Sequence, residues 1–305
     1  MESANSILVL YQGTIGSETA LDKAHELALS GGTELHVVEV VDDKPDIGTI
    51  LFGKPTAGKN VKLSQLADER RKRLERAVNP ICSKGIDVSC DAICGNVIQE
   101  VIRQVEANNH DLVVLAADRA NGSMNGTGAW QHLLRTCPCP VWIVRPDSRA
   151  KTRRILAAVN PMRDGTEALG LGRRVLDFAG QVARTECAEL TIFHAWDFRG
   201  KDLETSRSET TAKVMQRLIE KNRAEHEAAL YRLLDSVNLD EVAYDVHMPK
   251  GDPCRMIRQF VDENDFDLVV VGYERKNGMS DFLYGNTAEE IIRCLDCPAV
   301  AVKRA

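Results

Sequence analysis

The sequence lacks several features that would place it in a familiar class. No apolar run approaches the roughly 18 residues that a membrane-spanning helix needs, so no transmembrane segment is expected. The start, Met-Glu-Ser-Ala-Asn, carries an acid and has no basic residues of the kind that open a signal peptide. Positive charge is also not in excess, since the net charge is -6, and a nucleic-acid-binding surface is therefore not indicated. These absences predict a cytoplasmic protein that binds no nucleic acid.

Catalytic and metal-binding motifs are missing as well. The sequence contains neither a G-x-S-x-G elbow nor an H-E-x-x-H pair, and its histidines are isolated, so we expect no enzyme activity. Nine cysteines, an odd number, are typical of reduced thiols rather than of a disulfide framework. Cys137-Pro-Cys139 and Cys294-Leu-Asp-Cys297 have no partner pair or histidine at zinc-site spacing, so no metal is expected without a nucleotide. A redox role for these cysteines stays open.

The chain does contain an internal repeat. It has 305 residues, enough for about two domains of ~150 residues, and its 44% hydrophobic content is that of an ordinary globular protein. Gly95–Val114 aligns with Gly251–Val270 at an offset of 156 residues. A short polar stretch, 147–152, joins the copies. The repeat predicts two homologous domains, 1–147 and 153–305.

Each copy has the pattern of five short apolar segments separated by segments of helical periodicity. Such alternation predicts an α/β fold with a parallel sheet that helices cover on both faces. The predicted strands lie near 5–11, 34–41, 87–94, 111–116 and 140–145 in the first copy, and near 153–160, 188–196, 241–248, 267–272 and 298–303 in the second.

One stretch in the second copy has the order strand, glycine loop, helix, strand. Asp267–Gly272 is short, apolar and β-branched, and Pro298–Lys303 is similar. Between them, Gly285-Asn286-Thr287 precedes a segment with apolar residues at helical spacing. Because free N–H groups at a helix N-terminus bind anions, this arrangement predicts a phosphate site at the carboxyl end of the sheet.

The same stretch resembles the signature of the universal stress protein family: glycine, two residues, glycine, nine residues, glycine, then serine or threonine. Gly272 and Gly285 match, while Arg275 and Asn286 replace the second glycine and the Ser/Thr. The resemblance implies two tandem Rossmann-like domains, each a five-stranded parallel sheet of order 3-2-1-4-5, forming an intramolecular pseudo-dimer. It also implies antiparallel pairing of the final strands, here Val141–Val144 with Val300–Val302, and a ligand site between strands 1 and 4.

For the second domain the resemblance implies a site for a small phosphate-bearing ligand, with ATP or another adenine nucleotide as candidates. The family's adenosine-contacting aspartate is matched by Asn160, which could instead form only a turn with Pro161. Arg275 could pair with a phosphate, fill the space of the γ-phosphate, or lie in solvent. The predicted ligand-binding residues are Asn160, Gly272, Arg275, Gly285, Asn286, Thr287 and Ala288.

The first copy departs further from the signature. Gln12 stands at the position of Asn160, Ala116 replaces Gly272, and Thr127-Gly128-Ala129 replaces Gly285-Asn286-Thr287, with Arg119 at the position of Arg275. We expect this degenerate copy to bind no nucleotide. Gly53–Asn60 nearly spells a phosphate-binding loop, but Asn60 stands where the Ser/Thr would hold Mg²⁺, and a lid loop is the simpler interpretation.

The function that the resemblance implies is a cytoplasmic stress response through ligand binding or contact with an unidentified protein partner, without catalysis. Two alternatives stay open at this stage. One is an ATP-binding switch with slow hydrolysis in the second domain. The other is a carrier of a phosphorylated or apolar metabolite. A homodimer is also compatible with the sequence.

Overall fold

The structure, a computed structural model, describes residues 6–42, 59–82, 85–117, 129–149, 151–162, 166–197, 209–274 and 287–304. The chain forms two compact units. The first runs to Lys151 and also includes Asp296–Lys303, and the second comprises Thr152–Leu295 with Arg304. Within the described ranges no helix has the length and hydropathy to cross a membrane.

The first unit alternates strands and helices as the sequence predicts. Its elements are β1 (Ser6–Leu10), α1 (Ile15–Gly31), β2 (Glu34–Asp42), α2 (Lys59–Cys82), β3 (Val88–Gly95), α3 (Val97–Asn108), β4 (Leu112–Ala116), α4 (Ala129–Thr136) and β5 (Val141–Val144). The strand order β3-β2-β1-β4-β5 is parallel throughout and confirms the predicted order 3-2-1-4-5. All side chains of β1 are buried, as expected for a central strand covered on both faces.

The second unit repeats this arrangement. Its elements are β6 (Arg154–Ala158), α5 (Thr166–Glu186), β7 (Glu189–Phe193), α6 (Glu209–Leu234), β8 (Tyr244–His247), α7 (Pro253–Glu263), β9 (Leu268–Tyr273) and α8 (Thr287–Cys294). The order β8-β7-β6-β9 is again parallel. In register, Ala158 at the end of β6 lies between Phe193 of β7 and Val271 of β9. The carboxyl ends of these three strands therefore meet at one edge of the sheet.

Local sequence fixes where several helices begin and end. Thr14 caps α1 by accepting a hydrogen bond from the Ser17 backbone N–H, and Gly32 ends that helix in the left-handed conformation. Asp252 caps α7 in the same way as Thr14 caps α1, and Pro253 follows it at the first helical position, where its missing N–H costs nothing. These caps place the helix starts beside the strand ends.

The final strand of the chain, β10 (Ala299–Lys303), adds to the first unit. It pairs antiparallel with β5, with Ala299 opposite Ile143 and Ala301 opposite Val141. The predicted pairing of the two end strands is therefore confirmed. Because the ladder is antiparallel, Cys139 and Cys297 extend from opposite ends of it, which separates the two cysteine motifs.

Candidate functional site

A cavity of about 200 Å³ lies at the carboxyl edge of the sheet in the second unit. It is lined by the ends of β6, β7 and β9, by the first half of α5 and by the N-terminal turns of α7 and α8. Four of the predicted ligand-binding residues line it: Asn160, Gly272, Thr287 and Ala288. They meet because parallel strands 1 and 4 of the repeat end side by side.

Apolar side chains form one part of the inner wall of the cavity. Val175 of α5, Ile257 of α7 and Ile291 of α8 face it together with Phe193 and Val271 at the strand ends. These side chains are almost fully buried. Such walls suit a flat apolar ring rather than a charged group.

Asn160 lies at the rim, where it also forms a turn. Its side-chain oxygen accepts a hydrogen bond from the Met162 backbone N–H at 3.2 Å. The interpretation of Asn160-Pro161 as a turn is thus compatible with a role in binding, because the NH₂ group of the same side chain can still donate to a ligand. An aspartate at this position would instead offer two acceptor oxygens.

The N-terminus of α8 has groups that attract an anion, the N–H groups of its first turn, and groups that repel one, its acidic side chains. Thr287 and Ala288 open the helix, whose first-turn N–H groups have no partners within the helix itself. Glu289 and Glu290 in the same turn offset part of the helix dipole. Glu274 also lines the cavity, and its carboxylate pairs with the Arg304 guanidinium at 2.7 Å, which balances its charge.

Gly272 has a packing partner that the sequence analysis did not anticipate. A Cβ atom placed on Gly272 would lie 2.9 Å from both Cγ and Cδ2 of Leu171 on α5. In the first unit the sizes are exchanged: a Cβ on Gly16 would lie 3.1 Å from the Cβ of Ala116. Gly16 aligns with Leu171 at an offset of 155 residues, the same offset that pairs the buried residues Ala24 and Ala179. Gly272 therefore serves helix packing, whatever it contributes to a ligand.

Two histidines hold the backbone beside Asn160. His194, which directly follows β7, donates from Nδ1 to the Val159 carbonyl oxygen at 3.0 Å. Its Nε2 then accepts from Nδ1 of His226 on α6 at 2.8 Å. Burial lowers the pKa of His194 to about 4 and also lowers the pKa of His226, so both rings are neutral at pH 7.

In the first unit the corresponding positions hold an ion pair. Glu39 occupies the place of His194 in the repeat and is bonded by the guanidinium groups of Arg70 and Arg73 from α2. Burial raises the pKa of Glu39, and the two arginines act against this shift. The Arg73 guanidinium also lies where a Cβ on Gly13 would stand, just after Gln12. The strand end that matches Asn160 is thus filled by protein.

Several predicted residues lie outside the described part of the chain. These are Arg275, Gly285 and Asn286 in the second copy, Arg119, Thr127 and Gly128 in the first, and most of the Gly53–Asn60 loop. Their roles stay predictions. Within the described ranges, no group of three or more histidine, cysteine or acidic side chains is arranged to hold a metal ion.

The comparisons with known proteins agree with the repeat. A sequence model described as the universal stress protein family matches residues 4–145 and again 152–303. Universal stress protein E of Photorhabdus laumondii is 24% identical over 311 residues, which cover 99% of this chain and 96% of that protein. Universal stress protein E of Salmonella typhi is 29% identical over 210 residues, or 67% of this chain and 64% of that protein.

Solved structures share the fold. A functionally unknown protein from Pseudomonas aeruginosa superposes with a TM-score of 0.68 at 20% identity, covering 99% of this chain and 94% of that one. A universal stress protein from Archaeoglobus fulgidus gives a TM-score of 0.65 at 19% identity, covering 99% and 97%. The resemblance seen in the glycine loop is therefore confirmed over nearly the whole chain.

Proposed function

Since the chain belongs to the universal stress protein family, we propose that it acts in the stress response by binding a small phosphate-bearing ligand in the second-unit cavity, without catalysis. An adenine nucleotide is the favoured ligand. The observation that supports this proposal most directly is that Asn160, Gly272, Thr287 and Ala288 surround one cavity.

The residues present fit the ring of a nucleotide better than its phosphates. A cavity of about 200 Å³ is smaller than the roughly 300–1,000 Å³ of sites that enclose a drug-sized ligand. It can take a base between the apolar walls, with the rest of the ligand extending past the rim. There, the first N–H groups of α8 would bind a phosphate, while Glu289 and Glu290 weaken that attraction. We therefore expect binding to be weaker than the intact family signature would give.

The absence of catalysis is proposed from the reactive groups that line the cavity or lie beside it in the described part of the chain. Glu274 is engaged by Arg304, and His194 is committed to the Val159 carbonyl. The nearby Cys254 thiol donates to the Thr287 carbonyl oxygen at 3.8 Å, and burial raises the pKa of Cys254 to about 12. A neutral thiol of this kind is a poor nucleophile at pH 7.

A carrier of an apolar metabolite is the second candidate, and the apolar lining of the same cavity favours it. The two candidates predict different molecules in the purified protein. Mass spectrometry of the small molecules released by mild denaturation separates them: an adenine nucleotide supports the first, and a lipid-like molecule without phosphate supports the second.

Calorimetric titration with ATP tests the favoured ligand with a matched pair of variants. Asn160→Asp supplies a second acceptor oxygen at the rim, and one added hydrogen bond of about 1 kcal/mol should tighten binding about fivefold. Gln12→Asp makes a comparable change at the same place in the first unit, where Arg73 fills the space beside Gly13, and should leave the titration unchanged. A larger effect from Gln12→Asp than from Asn160→Asp would place the site in the first unit.

Arg275 and Asn286 give a second test of the same site. Restoring the family signature with Arg275→Gly and Asn286→Ser should strengthen ATP binding by roughly 1–3 kcal/mol, through relief of one steric block and gain of one hydrogen bond. If the wild type already binds at micromolar strength and the double variant is no better, Arg275 is part of a working site.

We further propose that the protein is cytoplasmic and that ligand binding changes its affinity for a protein partner. Affinity purification of the tagged full chain, with and without added ATP, should show a partner whose recovery depends on the nucleotide. Light scattering of the same samples would show whether a homodimer forms. Recovery that is unaffected by ATP would separate partner binding from the cavity.

A further inference from the structure

The Cys137-Pro138-Cys139 segment forms a buried dithiol in the first unit. It lies between the end of α4 and the start of β5, and the two Sγ atoms are 3.6 Å apart. The side chains are only 4% and 9% exposed, and neither cysteine is in a disulfide. The Cys137 backbone N–H donates to the Leu133 carbonyl oxygen at the end of α4, which fixes the first cysteine.

A buried lysine lies beside this dithiol. Continuing the β5–β10 register by two residues places Lys303 opposite Cys139, and Lys303 is 7% exposed. Burial lowers the pKa of Lys303 to about 8, and the charges of the two cysteines act to raise it. The lysine and both thiols belong to the same unit, although they are more than 160 residues apart in the sequence.

The two cysteines are not equivalent. The hydrogen bond from the Cys139 thiol lowers the pKa of Cys137, and the Lys303 charge acts in the same direction, against burial. The same hydrogen bond, followed by burial, raises the pKa of Cys139. With Cys139 as the donor of the hydrogen bond between the two sulfurs, Cys137 is the cysteine that is favoured as the thiolate.

We propose that Cys137 and Cys139 are an oxidative modification site, at which a hydroperoxide converts the dithiol to an intramolecular disulfide with Lys303 as the positioning cation. The site is separate from the second-unit cavity and does not depend on the proposed nucleotide binding. It gives the protein a chemical response to oxidants in addition to its ligand response.

The reaction balances in two steps. The Cys137 thiolate attacks one peroxide oxygen, the O–O bond breaks, and the departing hydroxide takes up a proton to become water, leaving a sulfenic acid on Cys137. The Cys139 sulfur, having given up its proton, attacks the Cys137 sulfur, the S–O bond breaks and a second water leaves. Two thiols and one hydrogen peroxide thus give one disulfide and two waters, the sulfurs losing two electrons. The sulfurs must approach from 3.6 Å to about 2.05 Å.

The sequence offers an internal control for the experiment. Trypsin releases Cys137 and Cys139 together in the peptide 136–149, because the bond after Arg145 precedes a proline. The cysteines at the same place in the second copy, Cys294 and Cys297, leave together in the peptide 294–303. The full-length reduced protein is treated with hydrogen peroxide near pH 7, and its remaining thiols are alkylated. The protein is then digested with trypsin, and the masses of both peptides are measured by mass spectrometry.

The expected result is an unalkylated 136–149 peptide that is two hydrogens lighter than its reduced form, while the 294–303 peptide stays alkylated at both sulfurs. Lys303→Met should slow disulfide formation about tenfold, because loss of the cation raises the pKa of the Cys137 thiol by roughly one unit and so lowers the thiolate population. Lys303→Arg, which keeps the positive charge, should restore most of the rate. In Cys139→Ser, which keeps a hydrogen-bond donor, the reaction should stop at a Cys137 sulfenic acid that dimedone traps.

Two outcomes would overturn the proposal. One is a 136–149 peptide that stays doubly alkylated under conditions that oxidise the exposed Cys187. The other is equal oxidation rates in wild type, Lys303→Met and Lys303→Arg, which would remove the lysine from the site. If Lys303→Met fails to fold, as judged by circular dichroism, the wild-type peptide map and the Cys139→Ser trapping still decide the question.

Discussion

Gly272→Ala should destabilise the second unit, and Leu171 should be the reason. The added Cβ would lie 2.9 Å from two Leu171 carbons, closer than such atoms approach in practice, so either α5 or β9 must shift. The backbone of Gly272 is not in the left-handed region, so the cost is steric rather than conformational. Overpacking of this kind costs about 1–3 kcal/mol, and we expect the lower half of that range because Leu171 is only half-buried and can turn aside.

A double-mutant cycle isolates this contact. Leu171→Ala should remove most of the penalty, so that Gly272→Ala costs about 1–2 kcal/mol in the wild-type background and close to nothing in Leu171→Ala. Urea unfolding measures the four proteins, and hydrogen exchange of peptides from β6 and β9 locates the change. An equal cost of Gly272→Ala in both backgrounds would refute the packing argument.

The first unit allows a second cycle in which the positions are reversed, because its glycine, Gly16, lies on the helix and its alanine, Ala116, lies on the strand. Gly16→Ala should crowd both the Ala116 Cβ, at 3.1 Å, and the Pro146 Cγ, at 3.2 Å, with the gain in helix propensity offsetting part of the cost. Ala116→Gly should therefore relieve only part of the clash. ATP titration of Gly272→Ala/Leu171→Ala then separates the two uses of Gly272. If a ligand needs the bare backbone there, the double variant recovers stability without recovering binding.

Two further predictions concern the buried polar groups. His110 and His194 both have a pKa of about 4, lowered by burial from 6.5, so the unfolded chain takes up protons first as the pH falls. The contribution of these histidines to the free energy of unfolding is therefore full above pH 6.5 and decreases as the pH falls toward 4. At pH 5 the free energy of unfolding is lower by about 2 kcal/mol per histidine. Urea unfolding at pH 7.5 and 5 checks this, and His110→Asn should flatten the dependence in the first unit. Arg73→Met should cost about 1–3 kcal/mol, because it leaves the buried Glu39 carboxylate with Arg70 alone, and Glu39→Gln in addition should recover part of the loss. Full additivity of these two changes in urea unfolding would contradict the ion-pair account.

Most of the fold could be predicted from the sequence because its signals are local. Apolar runs of about five residues, helical periodicity between them and a repeat of the whole pattern leave few arrangements open. The neighbourhood of Asn160 and Gly272 followed from the same logic, since parallel strands that pair side by side also end side by side. Thr287 and Ala288 followed because a helix must start where its loop returns to the sheet.

The partners of these residues could not be predicted in the same way. The contact of Leu171 with Gly272 and the position of Arg73 each join a helix to a strand end far away in sequence. The bond of His194 to Val159 joins the ends of two strands that a helix separates in the sequence. Periodicity shows which face of a helix is buried, but it does not show which side chain meets which. One signal was nevertheless present in the repeat: at a fixed offset of 155–156 residues, Gly16 and Ala116 exchange sizes with Leu171 and Gly272.

The place of β10 has a consequence for the order in which the protein is made. Its residues, Ala299–Lys303, are translated after the rest of the second copy, yet they pair with β5 in the first unit. Until they leave the ribosome, the buried apolar strand Val141–Val144 presents an unpaired edge, the kind of surface that draws strands from other chains. The nascent first unit therefore stays incomplete while the entire second copy is synthesised. On ribosomes stalled shortly before residue 299, the first unit would need a chaperone although its own copy of the repeat was synthesised long before.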